Sequence, residues 1–175
     1  MKRLYLGLAA MLVLAGCATR PLNQIPLTGP YNPNNAFAKM IRGEIQPVKV
    51  YETDRVLAFM DHAPQTPGHV DVISKVSRAR SLVEINARDY GDVMEAVRKV
   101  AVAEIRALNL KGVTITENNG LGQSIPHLHV HIIPRYGRLR LRERPARVKS
   151  DVELEAVAVR IRAVIADMDA HPPAD

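Results

Sequence analysis

The sequence predicts an α+β fold in which an antiparallel sheet of about five strands is covered by helices. Short runs rich in β-branched residues predict the strands, because these side chains fit the pleated surface of a sheet. Longer segments with apolar residues at helical spacing predict the helices. The chain has 175 residues, of which 47% are hydrophobic, so it is long enough for one domain with additional tails.

Five short runs predict the strands, at residues 48–53, 55–60, 69–74, 112–116 and 127–133. Asp54 separates the first two runs, which is typical of a hairpin turn. Pro67 and Gly68 precede the third run and predict a second turn. We therefore expect a sheet of short strands, with one long helix inserted before the fourth.

Three segments have helical spacing, at residues 37–41, 87–108 and 151–168. Gly43 ends the first of them. Asn86 precedes the longest as an N-cap, because its side chain can accept a hydrogen bond from a free N–H of the first turn. Ser150 and Glu153 have the spacing of a capping box at the start of the last helix.

The N-terminal residues have the pattern of a secretion signal. A positively charged start is followed by the apolar run 4–15, which is too short to cross a bilayer core of ~30 Å as a helix. The run ends in Leu14-Ala15-Gly16-Cys17, which resembles the lipobox of bacterial lipoproteins. A plain signal peptide and a single-pass anchor are the alternatives.

The lipobox resemblance implies that residues 1–16 are a signal peptide and that Cys17 becomes the lipidated first residue. Residues 17–34 hold several prolines among Asn, Thr and Gly, and they predict a tether. The chain would then be extracytoplasmic and anchored to a membrane by its lipid. Because Ala18 is not the Asp of inner-membrane retention, the resemblance implies the periplasmic side of the outer membrane in a Gram-negative cell.

Charge and cysteine content restrict the partners. The net charge of +6 favours anions without identifying one. The single cysteine excludes an intramolecular disulfide and a cysteine-rich zinc site.

A basic run contains Arg135, Arg138, Arg140, Arg142, Arg144, Arg147 and Lys149. We interpret it as a solvated connector, with capture of polyphosphate or anionic lipid as the alternative. Aromatic residues do not alternate with these cations, so no nucleic-acid partner is predicted.

The segment His127-Leu128-His129-Val130-His131 carries the strongest functional signal. Because side chains alternate across a strand, the histidines are expected on one face and the apolar residues in the core. Clustered imidazoles repel each other when charged, so a purely structural strand would have little reason to carry them. They can bind a metal with a further ligand, or one can be a nucleophile assisted by its neighbours.

The preceding loop favours the nucleophile. Residues 118–124 contain glycines, whose backbone N–H groups can approach an anion closely, and Gln123 and Ser124 add side-chain donors. The loop brings no carboxylate or thiolate that would complete a metal shell. We therefore interpret it as a phosphate-binding loop.

These residues resemble the signature of the histidine triad superfamily, which here is Gly122-Gln123-Ser124 followed by His127-x-His129-x-His131. Residues 37–45 resemble the opening helix of the family, and residues 56–69 resemble its strand and nucleotide-binding turn. The resemblance covers residues 35–135, the predicted domain. Residues 136–175 would then be a basic connector and a C-terminal helix.

The resemblance implies catalytic roles for four histidines. His129 would be the nucleophile that accepts a nucleotidyl group, and His127 would position its ring. His131 and His69 would complete a hydrogen-bonded cluster. Imidazole is a competent nucleophile near neutral pH, which agrees with these roles.

The resemblance also implies binding roles. Ser124 and Gln123 would hold the phosphate and its leaving group, with Asn118 nearby. Asp61 would bind the ribose hydroxyls, for which a carboxylate is a suitable acceptor pair.

The sequence departs from the family pattern at several places. Ala38 stands where some relatives have a zinc-binding cysteine, so that structural metal is not expected. Residues 74–77 replace a common Pro-Lys-Lys-His segment, Pro126 precedes the triad where relatives vary, and Asp71 interrupts an otherwise apolar strand.

The sequence therefore predicts a hydrolase that attacks the α-phosphate of a nucleotide phosphoramidate or phosphoanhydride, without a cofactor or a metal. The alternatives are a metal-dependent hydrolase that uses the same histidines and a non-catalytic nucleotide-binding protein. The helix at 87–108 is a candidate homodimer surface, as in many relatives, or it packs only on its own sheet.

Overall fold

The computed structural model describes residues 25–137 and 147–172. In chain order the elements are α1 Ala36–Ile41, β1 Lys49–Glu52, β2 Val56–Met60, β3 Val70–Ser74, α2 Ala87–Leu108, β4 Gly112–Glu117, β5 His129–Arg135 and α3 Asp151–Ala170. Each element predicted from the sequence is present, and α2 has the predicted bounds.

The strands form one antiparallel sheet with the order β1-β2-β3-β5-β4. The predicted α+β fold is therefore confirmed. β3 and β5 are neighbours in the sheet, although α2 and β4 separate them in sequence. Their register places Ile73 opposite His129 and Asp71 opposite His131. The pairing of these two strands thus brings distant polar residues into one site.

The two faces of the sheet differ. On one face, α2 and α3 pack over a large apolar core that includes Leu128, Val130 and Ile132 of the histidine segment. On the other face, a smaller apolar cluster contains Phe37, Leu57, Phe59 and Ile73. As the alternation of the sequence predicts, β5 closes the main core with one face and presents histidines on the other.

Both long helices begin at the predicted caps. The Asn86 side chain accepts a hydrogen bond from the N–H of Asp89, and Ser150 forms a capping box with Glu153. The apolar stripe of α2 is buried in the core of its own chain. The homodimer stays a prediction.

α3 belongs to the same core as the sheet. Four of its side chains are buried there, namely Leu154, Ala158, Ile161 and Ile165. The core therefore extends beyond residue 135, the predicted end of the domain. The physical reason is the apolar stripe of α3, which packs against α2 and β1.

Residues 25–34, the end of the predicted tether, lie against the domain. The backbone carbonyls of Pro26 and Leu27 accept hydrogen bonds from Arg80 (3.1 Å) and from the Ser81 hydroxyl (2.5 Å). A segment without an apolar stripe is held here through its backbone polar groups, which the sequence pattern does not predict. This part of the chain is therefore packed structure rather than free tether.

Several predictions fall outside the described residues. These are the signal peptide at 1–16, the lipidation of Cys17 and the part of the basic run at 138–146. Within residues 25–137 and 147–172, no helix combines the length and the apolar character needed to cross a membrane.

β5 begins two residues later than predicted. The N–H of His127 donates to Ile125, and the N–H of Leu128 donates to Ala79, both at 2.9 Å. These residues therefore bond to loops instead of pairing with β3, which ends at Ser74. His127 lies just before the strand, and only His129 and His131 belong to it.

Candidate active site

A cavity of ≈ 230 Å³ opens on the histidine face of the sheet. Its apolar wall includes Phe37, Met40 and Phe59, and its polar residues include Asp61, Asp71, Ser124, His129 and His131. Four residues predicted from the sequence therefore line one cavity, namely Asp61, Ser124, His129 and His131.

His127 is buried beside the cavity in one defined tautomer. Its Nε2 lies 3.1 Å from the backbone carbonyl of Ser74, which can only accept, so this nitrogen carries the proton. Nδ1 is then an acceptor, and the Tyr31 hydroxyl donates to it at 2.7 Å. Burial lowers the pKa of His127 to about 4, so the ring is neutral near pH 7.

His129 is oriented by the preceding histidine. Its Nδ1–H donates to the backbone carbonyl of His127 at 2.7 Å, which leaves the Nε2 lone pair unprotonated. Phe37 packs edge-on against the ring at a centroid distance of 5.1 Å. The residue is 2% exposed, and burial lowers its pKa below the ordinary histidine value. A neutral imidazole with one fixed nitrogen and one free nitrogen has the arrangement that a nucleophile needs.

His131 forms a close pair with Asp71. Its Nδ1 lies 2.6 Å from Asp71 Oδ1. Burial lowers the pKa of His131, but the hydrogen bond and charge of Asp71 outweigh burial, and the pKa is raised. Conversely, burial raises the pKa of Asp71, but the bond to His131 together with the charges of the neighbouring histidines outweighs burial, and the pKa is lowered. On its other nitrogen, His131 Nε2 lies 3.4 Å from the side-chain amide of Asn118.

His69 connects this pair to the carboxylate of Asp61. His69 Nε2 lies 3.1 Å from His131 Nδ1, and His69 Nδ1 lies 3.1 Å from Asp61 Oδ2. The backbone N–H of Gln65 is 3.3 Å from the same Nδ1. Burial lowers the pKa of His69 and raises the pKa of Asp61. The structure thus brings together the four histidines, Asp61 and Asn118 as the sequence predicted.

Gln123 occupies a different place from the predicted one. Its side chain is 1% exposed and is not among the residues that line the cavity. Its Oε1 accepts from the N–H of Gly120 at 3.2 Å, and its Nε2 donates to the carbonyl of Arg80 at 2.6 Å. The expected phosphate contact of Gln123 is thus corrected, because both ends of its amide hold the loop. Ser124 is exposed and lines the cavity.

Replacing Gln123 with leucine is expected to lower the free energy of unfolding by about 1–3 kcal/mol. The reason is that leucine would leave the buried N–H of Gly120 and the carbonyl of Arg80 without a partner. The measurement is denaturant unfolding of both proteins. Ser124→Ala is the matched control, because its side chain faces the cavity, and its effect should stay within about 0.5 kcal/mol. Equal stability of Gln123→Leu and the wild type would contradict the internal role of Gln123.

Three contacting residues were not identified as functional from the sequence. Asp71 gave a usable signal, because a carboxylate in a buried strand requires a charged or hydrogen-bonding partner. The sequence contains no signal for a functional role of Tyr31, because this residue lies in a proline-containing stretch whose packing depends on distant loops. Phe37 was recognised as a helix residue, but its contacts with the rings of His127 and His129 are tertiary.

Residues 42–138 match the HIT domain family. The chain belongs to the HIT family. The matched span contains all four histidines of the site and the residues that hold them on β3 and β5. Protein hit of Bacillus subtilis is a HIT-family relative, 40% identical over 109 residues, which cover 60% of this chain and 73% of that protein.

Two further proteins place the chain within the HIT family. Adenosine 5'-monophosphoramidase hnt1 of Schizosaccharomyces pombe is 36% identical over 101 residues, covering 57% of this chain and 72% of that protein. The crystal structure of a Hit-like protein from Bartonella henselae superposes with a TM-score of 0.72 at 40% identity, covering 78% of this chain and 99% of that chain. Fold and sequence therefore agree on the family.

Proposed function

We propose that this HIT-family protein hydrolyses nucleotide phosphoramidates or phosphoanhydrides through a covalent intermediate on His129. The observation that carries the proposal is the state of His129. Its Nδ1–H is fixed by the carbonyl of His127, and its Nε2 lone pair is free in a cavity that also contains a hydroxyl and carboxylates.

The proposed reaction has two steps. In the first, Nε2 of His129 forms a bond to the α-phosphorus and the bond from phosphorus to the amine or phosphate breaks; a departing amine takes up a proton from solvent. In the second, water attacks the phosphorus and loses a proton to solvent, the bond from Nε2 to phosphorus breaks, and a nucleoside monophosphate is released. His129 is then neutral again, so the steps form a closed cycle.

The other residues of the cavity support binding of a nucleotide. Ser124 can donate its hydroxyl to a phosphate oxygen, and Asp61 offers acceptor oxygens for the ribose diol. Phe37, Met40 and Phe59 supply an apolar wall. A mainly apolar pocket with a few convergent polar groups is typical of small-molecule sites.

The choice of a test substrate follows from the relative in Schizosaccharomyces pombe. That protein is named as an adenosine 5'-monophosphoramidase. The same activity is proposed for the present chain, and an adenosine phosphoramidate is therefore the first compound to test.

The proposal is tested by trapping the intermediate. The purified protein is mixed with an adenosine phosphoramidate and quenched at high pH during turnover, because phosphohistidine-type bonds are acid-labile. Intact-mass spectrometry should show an added nucleoside monophosphate, and peptide mapping should place it on His129. Turnover should persist after chelation.

Two other results would replace the proposal. Tight nucleotide binding without turnover on several leaving groups would indicate a binding protein. Activity that is lost on chelation and restored by zinc would indicate a metal-dependent hydrolase.

We also propose that the chain is a lipoprotein anchored outside the cytoplasm through Cys17. The lipobox at 14–17 supports this proposal. Metabolic labelling with a radioactive fatty acid should label the wild-type protein but not Cys17→Ser. An unlabelled wild type would contradict the lipid anchor.

A further inference from the structure

Three potential metal ligands converge at one point beside the cavity. His131 Nδ1 lies 2.6 Å from Asp71 Oδ1 and 3.1 Å from His69 Nε2, and the last two atoms are 3.6 Å apart. The three atoms come from β5, from β3 and from the residue that precedes β3. We infer that His69, Asp71 and His131 form a zinc-binding site in this protein.

The dimensions of the triangle match those of a zinc site. Zinc bonds to imidazole nitrogen and carboxylate oxygen are about 2.0–2.2 Å long, so neighbouring ligands in a tetrahedral shell are separated by ~3.3 Å. The observed separations of 2.6, 3.1 and 3.6 Å bracket this value. Small movements of side chains would therefore complete three corners of a tetrahedron, with the fourth corner left for water.

Asp61 supplies the outer support that such a site needs. Ligand atoms of Asp61, His69, Asp71 and His131 all lie within 4.8 Å of one another. The contact of Asp61 with His69 is made to Nδ1, the nitrogen that would not bind the metal. The same Nδ1 lies 3.3 Å from the N–H of Gln65, so zinc at Nε2 requires the tautomer in which Nδ1 carries the proton and donates to Asp61 instead of accepting from Gln65. Metal-binding histidines commonly donate this second N–H to a carboxylate, which fixes the ring. We therefore assign Asp61 as the residue that orients His69.

The charge of the cluster also suits a divalent cation. Asp71 is 5% exposed, and Asp61 is partly buried. Zn²⁺ would compensate both carboxylates while the imidazoles bind in their neutral form. Two imidazoles and one carboxylate are a donor set that zinc accepts. Asp71 is the necessary member, because it is the only carboxylate of the described residues that contacts both histidines on their converging nitrogens.

The test measures bound metal and does not depend on the proposed hydrolase activity. The purified full chain is stripped with a chelator, dialysed against Zn²⁺ alone and analysed for metal after gel filtration. We expect one zinc ion per chain. A wild-type protein that retains no zinc would overturn the inference, whatever its turnover.

Variants assign the ligands. Asp71→Asn keeps the size and an acceptor oxygen but removes the charge, and we expect its zinc affinity to fall by at least about 100-fold. Asp61→Asn should lower the affinity by about 10- to 100-fold, as expected for an orienting residue. Asp54→Asn is the control in an exposed turn and should bind zinc like the wild type. Unchanged binding by Asp71→Asn would overturn the assignment.

A direct measurement covers the case in which Asp71→Asn fails to fold. Nitrogen NMR of the wild type with and without Zn²⁺ should show ligation at His69 Nε2 and His131 Nδ1. His129→Ala should still bind zinc, because His129 is outside the triangle, although it should lose turnover. Loss of zinc by this variant, or unshifted resonances of His69 and His131, would contradict the ligand set.

Discussion

Replacing His129 with alanine is expected to reduce turnover of an adenosine phosphoramidate by on the order of 10⁴-fold or more. Loss of a nucleophile removes the covalent route altogether, and such losses are among the largest single-residue effects on rate. The carbonyl of His127 and the cavity lining remain in place, so the variant should still bind nucleotide. The measurements are steady-state kinetics and equilibrium binding of AMP.

His62 provides the matched control for this prediction. It is the third histidine that lines the same cavity, but its Nε2 contacts Asp151 at 3.0 Å, and its side chain is 38% exposed. His62→Ala should therefore stay within a few-fold of wild-type turnover. If His129→Ala retained comparable activity, the attacking group would have to be another residue of the cavity.

The regular elements were predictable because their signals are local. Apolar residues at helical spacing, with Asn86 as the N-cap, are sufficient to predict α2. The capping box at Ser150 is sufficient to predict where α3 begins. Alternation along the histidine segment likewise predicted that Leu128 and Val130 face the core. These signals depend on residues that are close together in the chain, so they can be recognised from the sequence alone.

The rest of the site depends on contacts that sequence order does not contain. Gln123 looks like a phosphate ligand within its own loop, and only the carbonyl of the distant Arg80 shows that its amide is engaged elsewhere. In the sequence, Asp71 is only an interruption of an otherwise apolar strand. The role of Asp71 follows only from the register of β3 on β5, which places Asp71 opposite His131.

β5 contributes to both the main core and the cavity, because its alternate side chains face opposite sides of the sheet. Val130 and Ile132 fix the strand in the main core, while His129 and His131 project into the cavity on the other face. A rigid strand of this kind holds catalytic side chains more accurately than a loop. The stability of the main core and the chemistry of the cavity should therefore be separable by mutation.

Ile161→Ala is expected to lower the free energy of unfolding by about 2–5 kcal/mol while leaving the site intact. Ile161 is 0% exposed and lies in the core formed by α2, α3 and the sheet, on the face opposite His129. The loss would combine the removed apolar contacts with the cavity that remains. Since whole domains are stable by only about 5–15 kcal/mol, an effect of this size would be plain in denaturant unfolding.

Val159→Ala is the control on the same helix, because Val159 is 52% exposed. Its effect should stay within about 0.5 kcal/mol. At a temperature where Ile161→Ala is still folded, its kcat and KM should match those of the wild type, since the cavity is separated from Ile161 by the sheet. If Ile161→Ala were as stable as Val159→Ala, α3 would be an appendage rather than a part of the domain, and the predicted boundary at residue 135 would be restored.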